Sequence, residues 1–191
     1  MKNPLRKRIP RELKSEIGKY LVIFLLMLGT IGVVSGFLVA DGSMIKAYNE
    51  SFEKYNIEDG NFRTGEKVYR GQREAMEEQG IKIYENYYIE EVLTNGSTLR
   101  FFKNRDEVDK VCIMEGRLPK TTGEIAIDRM YADNNSLKIG DTLSSGDKTW
   151  KIAGLIALSD YSALFQNNND SMFDAVKFGV SVVTPEEFDS L

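Results

Sequence analysis

Histidine is absent from the 191 residues, cysteine and tryptophan occur once each, and proline occurs four times. Without histidine there is no Ser-His or Cys-His pair for nucleophilic catalysis. With Cys112 alone there is neither an intrachain disulfide nor a Cys/His metal cluster. Cys112 lies in the apolar run Val-Cys-Ile-Met and reads as a buried structural thiol rather than a nucleophile. No G-x-x-x-x-G-K-[ST] phosphate loop is present. The Asn167, Asn168, Asn169, Asp170 cluster lacks the carboxylate spacing of a calcium loop and reads as a solvated loop. No catalytic, cofactor-binding or metal-binding residue is assigned from the sequence, no cofactor is expected, and enzyme chemistry is largely closed off.

One long stretch is also without charge. Tyr20 to Ala40, YLVIFLLMLGTIGVVSGFLVA, holds no Asp, Glu, Lys or Arg. As a helix it is about 32 Å long, close to the hydrocarbon thickness of a bilayer at roughly 30 Å. Only a form that satisfies every backbone group internally can cross lipid as a single segment, so a transmembrane helix over 20–40 is expected. A cleaved signal peptide fits less well. The apolar run exceeds the usual h-region, and a cut after Ala40 would put Leu38 where a small residue belongs. Within the run, Gly32 and Gly36 form a G-x-x-x-G that lets another helix approach, although glycine is common in spanning helices generally.

Charge divides sharply across this segment. Residues 1–19 carry seven basic and two acidic side chains, a balance of +5, and residues from Asp41 onward carry 18 basic and 27 acidic, a balance of −9. A Lys/Arg excess in a short flank marks the cytoplasmic side. The expected organisation is a cytoplasmic tail over 1–19, the span over 20–40 and an extracytoplasmic domain over 41–191. The localisation expected is the plasma membrane. The outer basic residues are scattered in an acidic background, so no nucleic-acid partner is expected. Leu13 and Ile17 stand at helical spacing among the charges of Arg11–Lys19. They fit either a short amphipathic helix at the inner face or a plain positive flank.

The 151 outer residues suffice for one domain with its own core. Met44, Tyr48, Phe52 and Tyr55 predict a helix over about 43–55 that continues the span as a stalk, its aromatic stripe belonging to the core. A strand is expected over 62–70, then a helix over 72–79 capped by Gly80. One or two strands follow over 81–94, and Asn95-Gly96 predicts a type I′ hairpin with a returning strand over 97–103. Further strands are expected over 111–114, 123–128, 150–157 and 178–183, a strand with a turn over 137–143, and a short helix over 129–134. A loop is expected over 144–148, and a helical turn with an Asn-rich loop over 160–173. Thr184-Pro185-Glu186-Glu187 has an N-cap, a Pro at the first helical position and a capping-box Glu. The helix it opens reaches only Leu191, which reads as a chain stopping within an element, as in a fragment of a longer protein. The fold class expected is α+β, one membrane helix followed by a mixed α/β domain with a largely antiparallel sheet.

Four motifs lie in order along the outer domain: Gly116-Arg117-Leu118-Pro119, Gly123-Glu124-Ile125-Ala126, Leu137-Lys138-Ile139-Gly140-Asp141-Thr142-Leu143 and Trp150-Lys151-Ile152-Ala153-Gly154-Leu155-Ile156. With the basic tail, the span and the stalk, they resemble the N-terminal part of an ABC transporter permease of the FtsX/MacB type. That resemblance implies a MacB-like extracytoplasmic core domain. It also implies partnership with a separate ATP-binding subunit, with further transmembrane helices of the permease and with membrane lipid. In such permeases, ATP-driven motion is coupled to export or to an extracytoplasmic event. The residues also fit a complete single-span sensing or binding protein. The motif glycines are expected to serve turns or close backbone approach, Asp141 to bond its own turn, and Arg117 to pair with Glu124 or another acid.

Overall fold

The computed structural model describes residues 5–62, 64–66, 68–167 and 169–191, with the side chains of residues 5–7 and 9 excepted. Two compact units divide the chain, residues 1–50 and 51–191. The elements in order are α1 (Leu5–Ser15), α2 (Ile17–Tyr55), α3 (Arg70–Glu77), β1 (Tyr88–Val92), β2 (Thr98–Lys103), β3 (Cys112–Gly116), β4 (Glu124–Asp128), α4 (Arg129–Asn134), β5 (Thr142–Ser145), β6 (Lys148–Ala157), β7 (Phe178–Val183) and α5 (Pro185–Ser190). A 3-10 turn covers Ser159–Tyr161.

The uncharged run lies within α2, one unbroken helix of 39 residues whose most apolar window has a mean hydropathy of 2.5 and no buried residue. It is long and apolar enough to span a membrane. The stalk expected after the span is the last part of this same helix. Its stripe differs from expectation. Met44, Tyr48 and Phe52 are exposed, and only Tyr55 is half-buried. α2 ends where Asn56 takes a positive φ of 47° and Ile57 N–H reaches back to the Phe52 carbonyl at 3.1 Å. Asn is one of the few residues that enters this backbone region at low cost, which makes it an effective helix stop.

The last turn of α2 is tied to the segment before β3. Lys110 N–H donates to the Tyr55 carbonyl at 2.8 Å and Asp109 N–H to that of Asn56 at 3.0 Å. The Asp109 carboxylate, on a residue 3% exposed, accepts from Glu58 N–H at 3.1 Å and from the Ser159 hydroxyl at 2.8 Å. Burial, and then the nearby Asp109 charge, push the Glu58 carboxyl above its ordinary pKa, against a hydrogen bond from Asn61 that lowers it. Tyr55 donates its hydroxyl to Cys112 Sγ at 3.0 Å. Cys112 is half-buried, not a core thiol as the apolar run implied, because β3 is an edge strand and Ile113 and Met114 are both exposed.

Seven strands form one sheet in the order β1-β2-β7-β4-β6-β3, with β5 also on β6. The sheet is mixed, which corrects the expectation of a largely antiparallel one. β7 runs parallel to β2 and β4 parallel to β6, while the other pairs are antiparallel. The cause is non-local: β7 comes last in the sequence yet inserts between β2 and β4. Its residues are buried on both faces, as a central strand's should be. The sheet curls until β5 reaches the end of β1, where Thr94 N–H donates to the Ser144 carbonyl and Ser145 Oγ to that of Val92.

The core contains Leu99, Phe101, Ile125, Ile127, Trp150, Ile152, Ile156, Val180 and Val182, each at most 1% exposed. Each such side chain contributes about 1.5–3 kcal/mol through burial. Phe101 and Trp150 pack with ring centroids 5.0 Å apart.

Several local expectations are corrected. The described residues of 62–70 form no strand ahead of α3, and Arg63 and Lys67 lie outside the described residues, as does Asn168 in the Asn-rich loop. Of 81–94, only Tyr88–Val92 is strand. The β1–β2 turn is not type I′, because only Gly96 has positive φ and Asn95 does not. It is a three-residue loop closed by Gly96 N–H on the Leu93 carbonyl at 2.9 Å, with Asn95 Oδ1 accepting from Ser97 N–H at 3.0 Å. Of 137–143, the turn lies at 139–140 and the strand begins only at Thr142. The loop expected over 144–148 is the end of β5, a two-residue Gly146-Asp147 turn and the start of β6.

Candidate functional site

The four sequence motifs, spread over some forty residues, meet at one end of the sheet. β3 ends at Gly116, whose φ of +73° suits glycine. A Cβ there would lie 2.5 Å from the Ala153 carbonyl oxygen of β6. Opposite it, a Cβ on Gly154 would lie 2.3 Å from the Arg117 carbonyl oxygen. The two glycines allow β3 and β6 to touch backbone to backbone, and Arg117 N–H donates to the Ala153 carbonyl at 3.1 Å.

Arg117 emerges from this contact. Its guanidinium grips Glu124 at the start of β4 in a two-pronged pair, Nη1 to Oε2 at 2.8 Å and Nη2 to Oε1 at 2.5 Å. Lys120 N–H adds a bond to the same carboxylate at 2.9 Å, which fastens the 117–123 loop on itself. Of the two pairings open in the sequence, Glu124 or another acid, the structure has Glu124. The Arg117 hydrogen bonds first, and the Lys120 N–H second, hold the Glu124 pKa down at about 2 against an ordinary 4.5.

The third motif docks on β6 from the other side of Gly140. Gly140 N–H donates to the Ile152 carbonyl and Ile152 N–H to that of Asp141, both at 2.8 Å. The Asp141 side chain accepts from Lys138 N–H at 2.8 Å, so it bonds its own turn as expected. Arg117, Glu124, Ile139, Gly140 and Lys151 then border an open hollow of about 280 Å³. A second hollow, of about 440 Å³, lies between α3 and residues 80–84. Among the described residues, no group of three or more His, Cys, Asp or Glu is placed to hold a metal ion.

Two features of the network were not visible in the sequence. Glu187 was read as a capping-box residue, but its carboxylate is turned inward. Oε1 accepts from Trp150 Nε1–H at 2.7 Å and Oε2 from Gly123 N–H at 2.8 Å. The Thr184 hydroxyl still caps α5 by accepting from Glu187 N–H at 3.3 Å. The Glu187 side chain thus joins α5, β6 and the loop before β4, and this tertiary use overrides the local one. The second feature is Arg100 on β2, which is 2% exposed. Its guanidinium donates to Glu90, to the Tyr161 hydroxyl at 2.7 Å and to the Gln166 carbonyl at 2.9 Å. An alternating strand pattern places Arg100 on a solvent face. Here the residues after β6 fold over that face and bury it.

The side chains of Arg117, Glu124, Asp141 and Glu187 each hold a hydrogen bond at this end of the sheet. The acid sensitivity of this end follows from the Arg117–Glu124 pair. The Glu124 pKa is lower folded than unfolded, so its contribution is complete above the unfolded value near 4.5 and is lost as pH falls toward about 2. Glu124→Gln is expected to flatten the stability profile between pH 4.5 and 2 relative to wild type. Denaturant titrations across that range, followed by Trp150 fluorescence, check this; parallel profiles would show that the pair carries no such linkage. No family model matches the chain, and no curated protein or solved structure matches it at a significant level.

Proposed function

We propose that the chain is a permease component of an ABC transporter complex of the FtsX/MacB type. In this reading α2 crosses the plasma membrane with residues 1–19 in the cytoplasm, and the sheet domain stands on the extracytoplasmic side. ATP hydrolysis belongs to a separate subunit, since this sequence has no phosphate loop. The domain transmits that subunit's motion to an export or other extracytoplasmic event.

The observation that carries the reading is the order of the four motifs, Gly116 to Ile156, which meet on β6 in a chain that also holds a helix long and apolar enough to span a membrane. The +5 flank agrees with the same assignment.

The test is affinity purification of the tagged chain from native membranes after crosslinking. Recovery of a protein with a G-x-x-x-x-G-K-[ST] loop, whose ATPase rate changes when this chain is present, is the expected result. Recovery of no ATP-binding partner would leave a single-span sensing or binding protein as the better reading. Orientation is checked separately. In a Cys112→Ser background, Asp147→Cys on the exposed β5–β6 turn is expected to react with a membrane-impermeant thiol reagent in intact cells. Labelling only after lysis would overturn the proposed orientation.

A further inference from the structure

We propose that α1 is a docking helix for anionic phospholipid headgroups. The inference rests on the membrane reading above and adds a headgroup class that anchoring alone does not require. Leu5, Ile9 and Leu13 recur every four residues in the sequence. In the sequence pattern, at about 100° per residue, these three positions fall within roughly 80° of one another; the five basic positions of α1 (6, 7, 8, 11 and 14) are centred opposite them, with position 6 bordering the apolar ones. Every described side chain of α1 is exposed, with Leu13 at 50%. Its nearby acids are few: Glu12 lies within α1, and Glu16 pairs with Lys19 at 2.9 Å. Among the described residues no ion pair occupies Arg8, Arg11 or Lys14.

Position decides which surface this helix meets. The uncharged run begins at Tyr20, five residues beyond Ser15. Lys14, the cation of α1 nearest Tyr20, is six residues away, about 9 Å at the helical rise and comparable to the screening length of about 8 Å at physiological salt. This end of the basic face therefore lies within electrostatic reach of the headgroups. A bend at Glu16 separates α1 from α2, so α1 is not obliged to continue along the spanning axis. An amphipathic helix with an apolar stripe and a cationic face settles in the interface, and anionic lipid strengthens that placement. A neutral headgroup leaves the five basic residues of α1 without a net counter-charge, which is why the occupant is anionic.

The test uses the full chain in lipid discs of phosphatidylcholine alone or mixed with phosphatidylglycerol, read by hydrogen–deuterium exchange. Peptides from α1 are expected to exchange about tenfold more slowly in the anionic discs. That equals one to two basic contacts at their usual strength near a charged leaflet. Salt near 1 M, where the screening length is about 3 Å, is expected to remove the difference. The variant Arg6→Gln, Lys7→Gln, Arg8→Gln, Arg11→Gln, Lys14→Gln is expected to remove it at low salt. Residues 20–40 serve as the control for insertion. If they are protected in both discs while α1 exchanges equally in both, the headgroup proposal is overturned and anchoring stands. If they are unprotected, anchoring falls and this proposal falls with it.

Discussion

Gly154→Ala is expected to destabilise the sheet domain by about 2–3 kcal/mol, a typical cost for forcing an extra methyl into a packed site. The added Cβ would lie 2.3 Å from the Arg117 carbonyl oxygen and 2.9 Å from Arg117 N, and both are backbone atoms. No rotamer change relieves such a contact. β3 must instead separate from β6, which loosens the Arg117–Ala153 hydrogen bond and the grip of Arg117 on Glu124. Trp150, the only tryptophan and 1% exposed, reports unfolding directly. The midpoint of a denaturant titration is expected to fall with its slope unchanged. Gly71→Ala in α3 is the control. Nothing lies within 4 Å of its Cβ, and replacing glycine inside a helix by alanine stabilises by about 0.5–1 kcal/mol. An unchanged midpoint for Gly154→Ala would mean that the β3–β6 contact is not close-packed.

Arg100→Ala is expected to cost about 3 kcal/mol, at the lower end for breaking a buried ion pair. The lower end applies because Glu90 is one-third exposed and can regain water. Burial works against the Arg100 charge, but the hydrogen bonds it donates to Tyr161 and Glu90 outweigh it and raise its pKa. The guanidinium also lies 4.2 Å from the Tyr88 ring centroid and 5.0 Å from that of Phe178. Truncation therefore removes packing as well as charge. Because one of its bonds holds the Gln166 carbonyl, the variant should also expose the backbone over 162–176 to faster hydrogen exchange. Arg105, paired with Asp160 at 2.7 Å, holds the start of that segment. Arg100→Lys keeps the charge but not the planar fork, and is expected to fall between wild type and Arg100→Ala. Equal exchange in wild type and Arg100→Ala would show that the segment is held elsewhere.

What the sequence made legible were the elements whose signals are local. The 21 uncharged residues marked a long helix. Asp128, accepting from Met130 and Tyr131 N–H, opens α4 at its expected position. The apolar run 178–183 is a strand within the same bounds. The Arg117–Glu124 pair was legible because its partners are seven residues apart across a single tight loop. What escaped were decisions taken between distant segments. Nothing local to Phe178–Val183 says that it pairs with β2, and so the parallel ladders were missed. Glu187 satisfies a helix-cap pattern in sequence, yet Trp150 and Gly123 claim its carboxylate. Stripes misled in the other direction. Met44, Tyr48 and Phe52 have helical spacing, but periodicity cannot say whether anything covers the face.

The position of β7 has a consequence for the order in which the domain is assembled. Thr98 of β2 aligns with Phe178 of β7, and Ala126 of β4 with Val182. Until β7 has been synthesised, the edges of β2 and β4 that flank its place in the sheet have no strand to pair with there. Loops of this length close slowly, and bare edges recruit other chains. The strand that arrives last is therefore the one that ends the exposed period. A chain released before Phe178 would leave the facing edges of β2 and β4 permanently unpaired.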